Sequence, residues 1–226
     1  MVRTMARQEA TGPLPPRLNR LRLGTLTPGD PSLLDGDDDL DEVEFRDLRV
    51  EELTWTGRRR FGASLLTGLV AQEWSAPGAS VVGSVVEGTE VVALSAPESG
   101  WWNVEVSQSR IGSAELYDSS WRSVSFSHCK LGYLNLRGAK LTDVAFTDCT
   151  IEDLDLMRAT ATRVSFTGSR IDRLELSNAH LTDVDLRGAR LADVGNLEGL
   201  KGATITLDQL LDLAPAMAAR LGIHLE

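Results

Sequence analysis

Three groups of residues in this chain are of the kinds that do chemistry. Cys129 and Cys149, four pentads apart, would form a redox pair if the fold brought their sulfurs together. His128, His180 and His224 are the nitrogen donors a transition metal would take, and Asp35-Gly36-Asp37-Asp38-Asp39-Leu40-Asp41 has the closely spaced carboxylates of a calcium loop. Spacing argues against each. No histidine has a cysteine or carboxylate partner at metal-ligand separation. A calcium loop counted from Asp35 needs glycine at its sixth position and glutamate at its twelfth, where Leu40 and Arg46 stand. The sequence also lacks a phosphate-cradling glycine loop, a nucleophile elbow and an HExxH helix. We therefore expect no catalytic residues, no cofactor, no metal ligands and no enzymatic activity.

The elements that must carry these residues follow a period of five. From Phe126 a large apolar residue recurs at Leu131, Leu136, Leu141, Phe146, Ile151 and Leu156, then at Phe166, Ile171, Leu176, Leu181, Leu186 and Leu191, with Ala161 the one departure. Two positions before each stands a second apolar or small residue, such as Val124, Cys129, Leu134 and Ala139. Neither the helical period of 3.6 nor the strand period of 2.0 divides this pattern, so a straight helix or strand would scatter it over every face. A chain that turns a corner at every pentad gathers it inside, because residues two apart in an extended segment point the same way. Four corners close one coil, so the path repeats at every fourth pentad.

That longer period is visible too. Phe126, Phe146, Phe166 and Leu186 fall one above another, as do Leu131, Ile151, Ile171 and Leu191. Behind the second set stand Cys129, Cys149, Ser169 and Ala189, so small size accounts for both cysteines and buried free thiols are expected. Upstream the register continues, with more noise, through Trp121, Leu116, Ile111, Val106 and Trp101 to Val81. Phe45, Val50 and Trp55 keep the spacing one residue out of phase with Phe61 and Leu66, which places a one-residue insertion near residues 57–60. About seven coils are expected between residues 45 and 195.

The pentads Leu134-Asn135-Leu136, Leu154-Asp155-Leu156, Val184-Asp185-Leu186 and Ala139-Lys140-Leu141 resemble the motif of the pentapeptide-repeat family, which is Ala, then Asp or Asn, then Leu, then two variable residues. The resemblance covers about residues 43–195, most closely from 101. Few pentads carry both the Ala and the Asp or Asn, as in a diverged member. It implies an all-β solenoid, a right-handed quadrilateral parallel β-helix. It also implies a rigid protein-binding module or, in the family's gyrase-directed members, a DNA mimic that inhibits or protects a type II topoisomerase and dimerises through its C-terminal end.

Charge bears on that choice. The chain has 226 residues and a net charge of −10, which disfavours a direct grip on nucleic-acid phosphates. Residues 30–44 hold eight acids and no base, whereas residues 101–195 hold 13 acids and 11 bases. The negative charge is thus local, and the regular coils lack the unbroken field of a DNA mimic. Asp35, Asp37, Asp38, Asp39, Asp41, Glu42 and Glu44 form the candidate patch for a basic partner, within an acidic cap of residues 28–44.

Residues 1–27, with Pro13, Pro15 and Pro16, read as a flexible tail or an extended strap. They contain no apolar run of signal or anchor length, so a cytoplasmic protein is expected. Arg58-Arg59-Arg60 reads as a solvated loop. Residues 196–226 form a helical cap opened by the capping box Thr206-Leu207-Asp208-Gln209, with Pro215 expected to kink it or to start a second helix. Leu210, Leu211, Met217 and Leu221 on this helix would either cover the last coil or make a homodimer contact.

Overall fold

The computed structural model describes residues 12–36 and 39–224. Its strands are parallel throughout and follow one another at a fixed offset. Phe126 pairs with Phe146, and Phe146 with Phe166, so each strand lies against the one four pentads later. The chain is a parallel β-solenoid of about nine turns closed by a single C-terminal helix. At about 4.8 Å per turn the column is about 43 Å long. It exceeds the expected seven coils because residues without pentad spacing also pair in register: Thr27–Pro28 lies beside Val43–Glu44, and Leu40–Asp41 beside Phe61–Gly62. Val50 pairs with Ala71 but Phe61 with Val81, so the offset shortens by one between these strands. The extra residue therefore lies between Trp55 and Phe61.

Each coil bends where the backbone enters the left-handed region. Ser123, Asp143, Arg163 and Asp183, at φ 56°, 58°, 52° and 53°, stack on one corner. Asp and Asn tolerate this conformation, which explains polar residues at the bends. A second device holds another corner. Asn135 Oδ1, Asp155 Oδ1 and Asp185 Oδ1 each accept a hydrogen bond from the backbone N–H two residues on, that of Arg137, Met157 and Arg187 respectively, at 2.9–3.1 Å. This is the physical use of the Asp or Asn in the repeat.

The two inward residues of each pentad fill the column. Phe126, Phe146, Phe166 and Leu186 form one buried ladder, with the phenyl rings stacked at centroid separations of 5.2 and 5.0 Å. Leu131, Ile151 and Ile171 form another, which ends at the half-buried Leu191. The core leaves an apolar void of about 40 Å³ that runs from Trp55 and Val81 past Val91 and Trp101 to Phe126 and Leu134.

Helix α1 runs from Leu207 to Arg220. Its capping box is complete: Thr206 Oγ1 accepts from the Gln209 N–H and Gln209 Oε1 from the Thr206 N–H. Gln209 Nε2 also donates to the Leu186 and Ala189 carbonyls, both at 2.7 Å, and so satisfies acceptors that the end of a parallel stack would leave open. Contrary to expectation, Pro215 sits inside one continuous helix. It lies on the exposed side, where water solvates the carbonyl it leaves unpaired.

Candidate functional site

At the N-terminal end, the acidic segment is part of the solenoid's closure. Asp35 Oδ1 accepts from the Thr54 N–H at 2.7 Å, and Asp39 Oδ1 from the Arg60 N–H at 2.8 Å. Asp41 lies 3.7 Å from Arg60, and Glu44 pairs with Arg46 at 2.8 Å. Glu42, at φ 54°, takes part through its backbone, donating to Gly62 O and accepting from the Thr27 N–H. Asp37 and Asp38 lie outside the described residues. Asp30 caps the short turn Pro31–Leu33 by accepting from the Ser32 N–H and hydroxyl, bonds that hold its carboxyl below the usual carboxylate range.

Arg59 corrects the expectation of a solvated basic loop. It is 1% exposed. Its guanidinium donates to the carbonyls of Leu33, Leu34 and Gly36 and lies 5.3 Å from the Trp55 ring centre, while Trp55 Nε1 donates to the same Leu34 carbonyl. The fork geometry of arginine meets several carbonyls at once, as a lysine would not. The sequence held a signal for this. Arg59 stands two residues before Phe61, the inward slot that Val124 holds before Phe126.

The outer faces of the regular coils are ladders of ion pairs. Arg163 binds Asp143 through two hydrogen bonds at 2.6 and 2.7 Å, and Arg137 binds Asp155 at 2.6 Å. Arg187 with Asp185, Arg170 with Asp172 and Lys130 with Glu152 continue the pattern. The Arg163 guanidinium is the main cause of a lowered Asp143 pKa, and Arg187 that of a lowered Asp185 pKa. On one face Trp102, 54% exposed, lies 5.7 Å from the Arg122 guanidinium.

Residues 14–19 lie along the corner formed by residues 123, 143, 163 and 183. The Leu14, Arg17 and Asn19 N–H groups donate to Asp183 Oδ1, Asp143 Oδ1 and Ser123 Oγ at 3.1, 2.8 and 2.8 Å. At the other end, α1 buries Leu213 and half-buries Met217 against the last coil. Leu207, Leu210, Leu211, Leu221 and Ile223 remain exposed.

The cysteines lie inside the column and the histidines outside it. Cys129 and Cys149 are buried free thiols that donate to the Ser127 and Thr147 carbonyls. Contact with Cys129 and burial push the Cys149 thiol up, away from the reactive thiolate. His128, His180 and His224 are exposed, and no cluster of metal-ligating side chains occurs among the described residues. No helix among them is long and apolar enough to cross a membrane.

A family model for pentapeptide repeats matches residues 122–156 and 162–194 in 8 copies. No curated protein sequence matches the chain. Among solved structures, full-length QnrB1, a plasmid-mediated fluoroquinolone resistance protein, is similar at 15% identity over 83% of this chain and 99% of its own, with a TM-score of 0.43. HetL, a pentapeptide repeat protein involved in heterocyst differentiation regulation from the cyanobacterium Nostoc sp. strain PCC 7120, is similar at 16% identity over 75% of this chain and 90% of its own, with a TM-score of 0.22.

Proposed function

Because this chain is a pentapeptide-repeat protein, we propose that it is a non-enzymatic scaffold whose outer faces bind another protein. One observation carries this reading: the column is filled. The space left inside it, about 40 Å³, is far below the roughly 300–1,000 Å³ of a typical ligand pocket, and the roomier cleft of about 610 Å³ between the last coil and α1 opens on the outside of the column. Outside, ladders of short polar and paired charged side chains lie between open clefts, that one and another of about 320 Å³ beside Trp102, a surface suited to a partner of complementary shape. Cross-linking in native cells with the full chain is expected to place one reproducible protein on these faces. Cross-links that avoid them would overturn the proposal.

Charge-driven contact with a basic partner belongs at the N-terminal end, where Asp41 and Glu42 are exposed. Asp35 and Asp39 there also serve the fold. Asp41→Lys with Glu42→Lys is expected to weaken such a partner's binding without lowering the melting temperature. Self-association belongs at the opposite end, through the outward side of α1. Leu211→Asp is expected to reduce any dimer seen by sedimentation to monomer, and a dimer that survives the change would move the contact elsewhere.

The proposal does not extend to DNA mimicry. A DNA-like field needs unbroken negative charge, and the acids Asp143, Asp155, Asp172 and Asp185 each face an arginine. Supercoiling by DNA gyrase is expected to proceed unchanged with the protein present at micromolar concentration. Inhibition would restore the mimic.

A further inference from the structure

We propose that the corner lane under residues 14–19 is a docking site for an extended, proline-bearing basic peptide of a partner protein, and that the chain's own segment is its resident occupant. The inference rests on the scaffold reading and names one surface of it. The lane is a column of side chains at a single corner, repeated once per coil: Ser123, Asp143, Arg163 and Asp183, all in the left-handed conformation. Asp183, Asp143 and Ser123 accept backbone N–H groups from the strap. Arg163 does not open a gap between the two aspartates, because both its hydrogen bonds go to Asp143 and fix that carboxylate in place.

The strap's sequence fits this column by pitch. Pro13, Pro15 and Pro16 have no N–H, so Leu14 and Arg17 are the only donors from Pro13 to Arg17, and both reach the lane. Prolines favour the polyproline helix, which presents the same side every third residue and advances about 9.3 Å over that interval. Two coils of the solenoid, the step from Asp183 to Asp143, advance about 9.6 Å. The two periods coincide, so a proline-bearing peptide meets the acceptors with no distortion. Arg17 adds positive charge beside Asp143.

The attachment is also of a kind that exchanges. Leu14 and Leu18 are 48% and 43% exposed, and every described residue from 12 to 26 keeps at least partial exposure. Lifting the strap opens the lane and leaves the Phe ladder covered. Recognition runs through the main-chain N–H groups of Leu14 and Arg17, three residues apart, and of Asn19 two residues on, and the three-residue step is one that a polyproline segment supplies, as in other proline-rich recognition. The tether gives the resident segment a high effective concentration, so a competing peptide binds well only when the strap is weakened.

Leu14→Pro with Arg17→Pro removes both donors to the aspartates, leaves that of Asn19 to Ser123, and keeps the polyproline conformation. In the full chain, this double variant is expected to expose Arg20 and Arg22 to trypsin while the melting temperature stays within a few degrees of the parent. A fluorescent peptide with the sequence of residues 12–24 is expected to bind the double variant at least about tenfold more tightly than the parent. Adding Asp143→Gly and Asp183→Gly, which suit a corner where Gly83 already stands at φ 60°, is expected to abolish that gain. Asp118→Gly, at a different corner, is expected to leave it intact. Unchanged trypsin cleavage, equal peptide binding by parent and double variant, or binding that survives loss of both aspartates would each overturn the proposal. Those results would leave the other faces of the scaffold in place, since the cross-linking experiment tests them separately.

Discussion

The coils of residues 61–100 and those of residues 101–186 share one backbone course and differ in what fills it. In the second set, strands such as Ser120–Ser127 and Lys140–Thr147 run unbroken across a corner, over stacked Phe126, Phe146 and Phe166. In the first, the same path is broken into the shorter strands Ser80–Val82 and Val85–Glu87, and the central residues are Val81, Val86, Val91 and Ala96. The void begins among those small side chains and runs on into the second set as far as Phe126 and Leu134. Of the four buried side-chain atoms left without a hydrogen-bond partner among the described residues, Thr67 Oγ1, Trp74 Nε1 and Thr89 Oγ1 fall in the first set and Trp121 Nε1 in the second. The parallel hydrogen-bond ladder thus sets the coil, while side-chain volume decides how tightly it is packed.

The two sets separate most sharply at the Phe ladder. Phe146→Asp places a carboxylate in a dry stack and is expected to leave no cooperative melting transition, whereas Phe146→Ala is expected to cost about 3–5 kcal/mol by denaturant titration. A variant that melts with the parent would mean the ladder does not bear on stability. Next comes the N-terminal end. Arg59→Ala removes a buried donor shared by three carbonyls, of which Leu34 keeps Trp55 Nε1 and Gly36 keeps the Thr56 N–H, an expected loss of about 2–3 kcal/mol. Hydrogen exchange is expected to accelerate around residues 31–36 and not in coils 101–186, because contacts in a solenoid are with neighbouring coils.

Enlarging one side chain in each set sharpens the contrast. Val124→Leu, in the filled coils, is expected to destabilise by about 1–3 kcal/mol. Val86→Leu, beside the void, is expected to stabilise by about 0.5–1 kcal/mol. Equal effects would dissolve the distinction.

The smallest effect concerns acid. Asp143 has a folded-state pKa below its unfolded one, so its contribution is present above the unfolded value of about 3.9 and is lost as pH falls through the lower folded value. At most about 1 kcal/mol is involved for this largely covered pair. Melts at pH 7 and pH 3 are expected to differ less in Asp143→Asn than in the parent.

The same contrast explains what the sequence made legible. Phe, Leu and Ile at every fifth position stand out against Ser, Thr, Asp and Arg, so the period could be read from Phe126 onward. Val, Ala and Ser at the corresponding positions before 100 blend with their neighbours, and the rungs at Thr27–Pro28 and Leu40–Asp41 carry no pentad at all. Their pairing is set by backbone hydrogen bonds, which leave little trace in residue type. Arg59 was hidden by its charge, although its slot two before Phe61 was inward. The strap's contacts span 104 to 169 residues of sequence, and no local pattern encodes such a reach.

That reach bears on the order in which the protein is made. The strap leaves the ribosome before the lane it occupies, because Asp183, the acceptor for Leu14, is synthesised 169 residues later. At about 5–20 residues per second the delay is on the order of ten to thirty seconds. Coils form and stack one on the next during that interval, each needing only its predecessor. The strap, translated before the coils, therefore reaches its place only after them, and until then the lane and the segment that fills it are both open to other molecules.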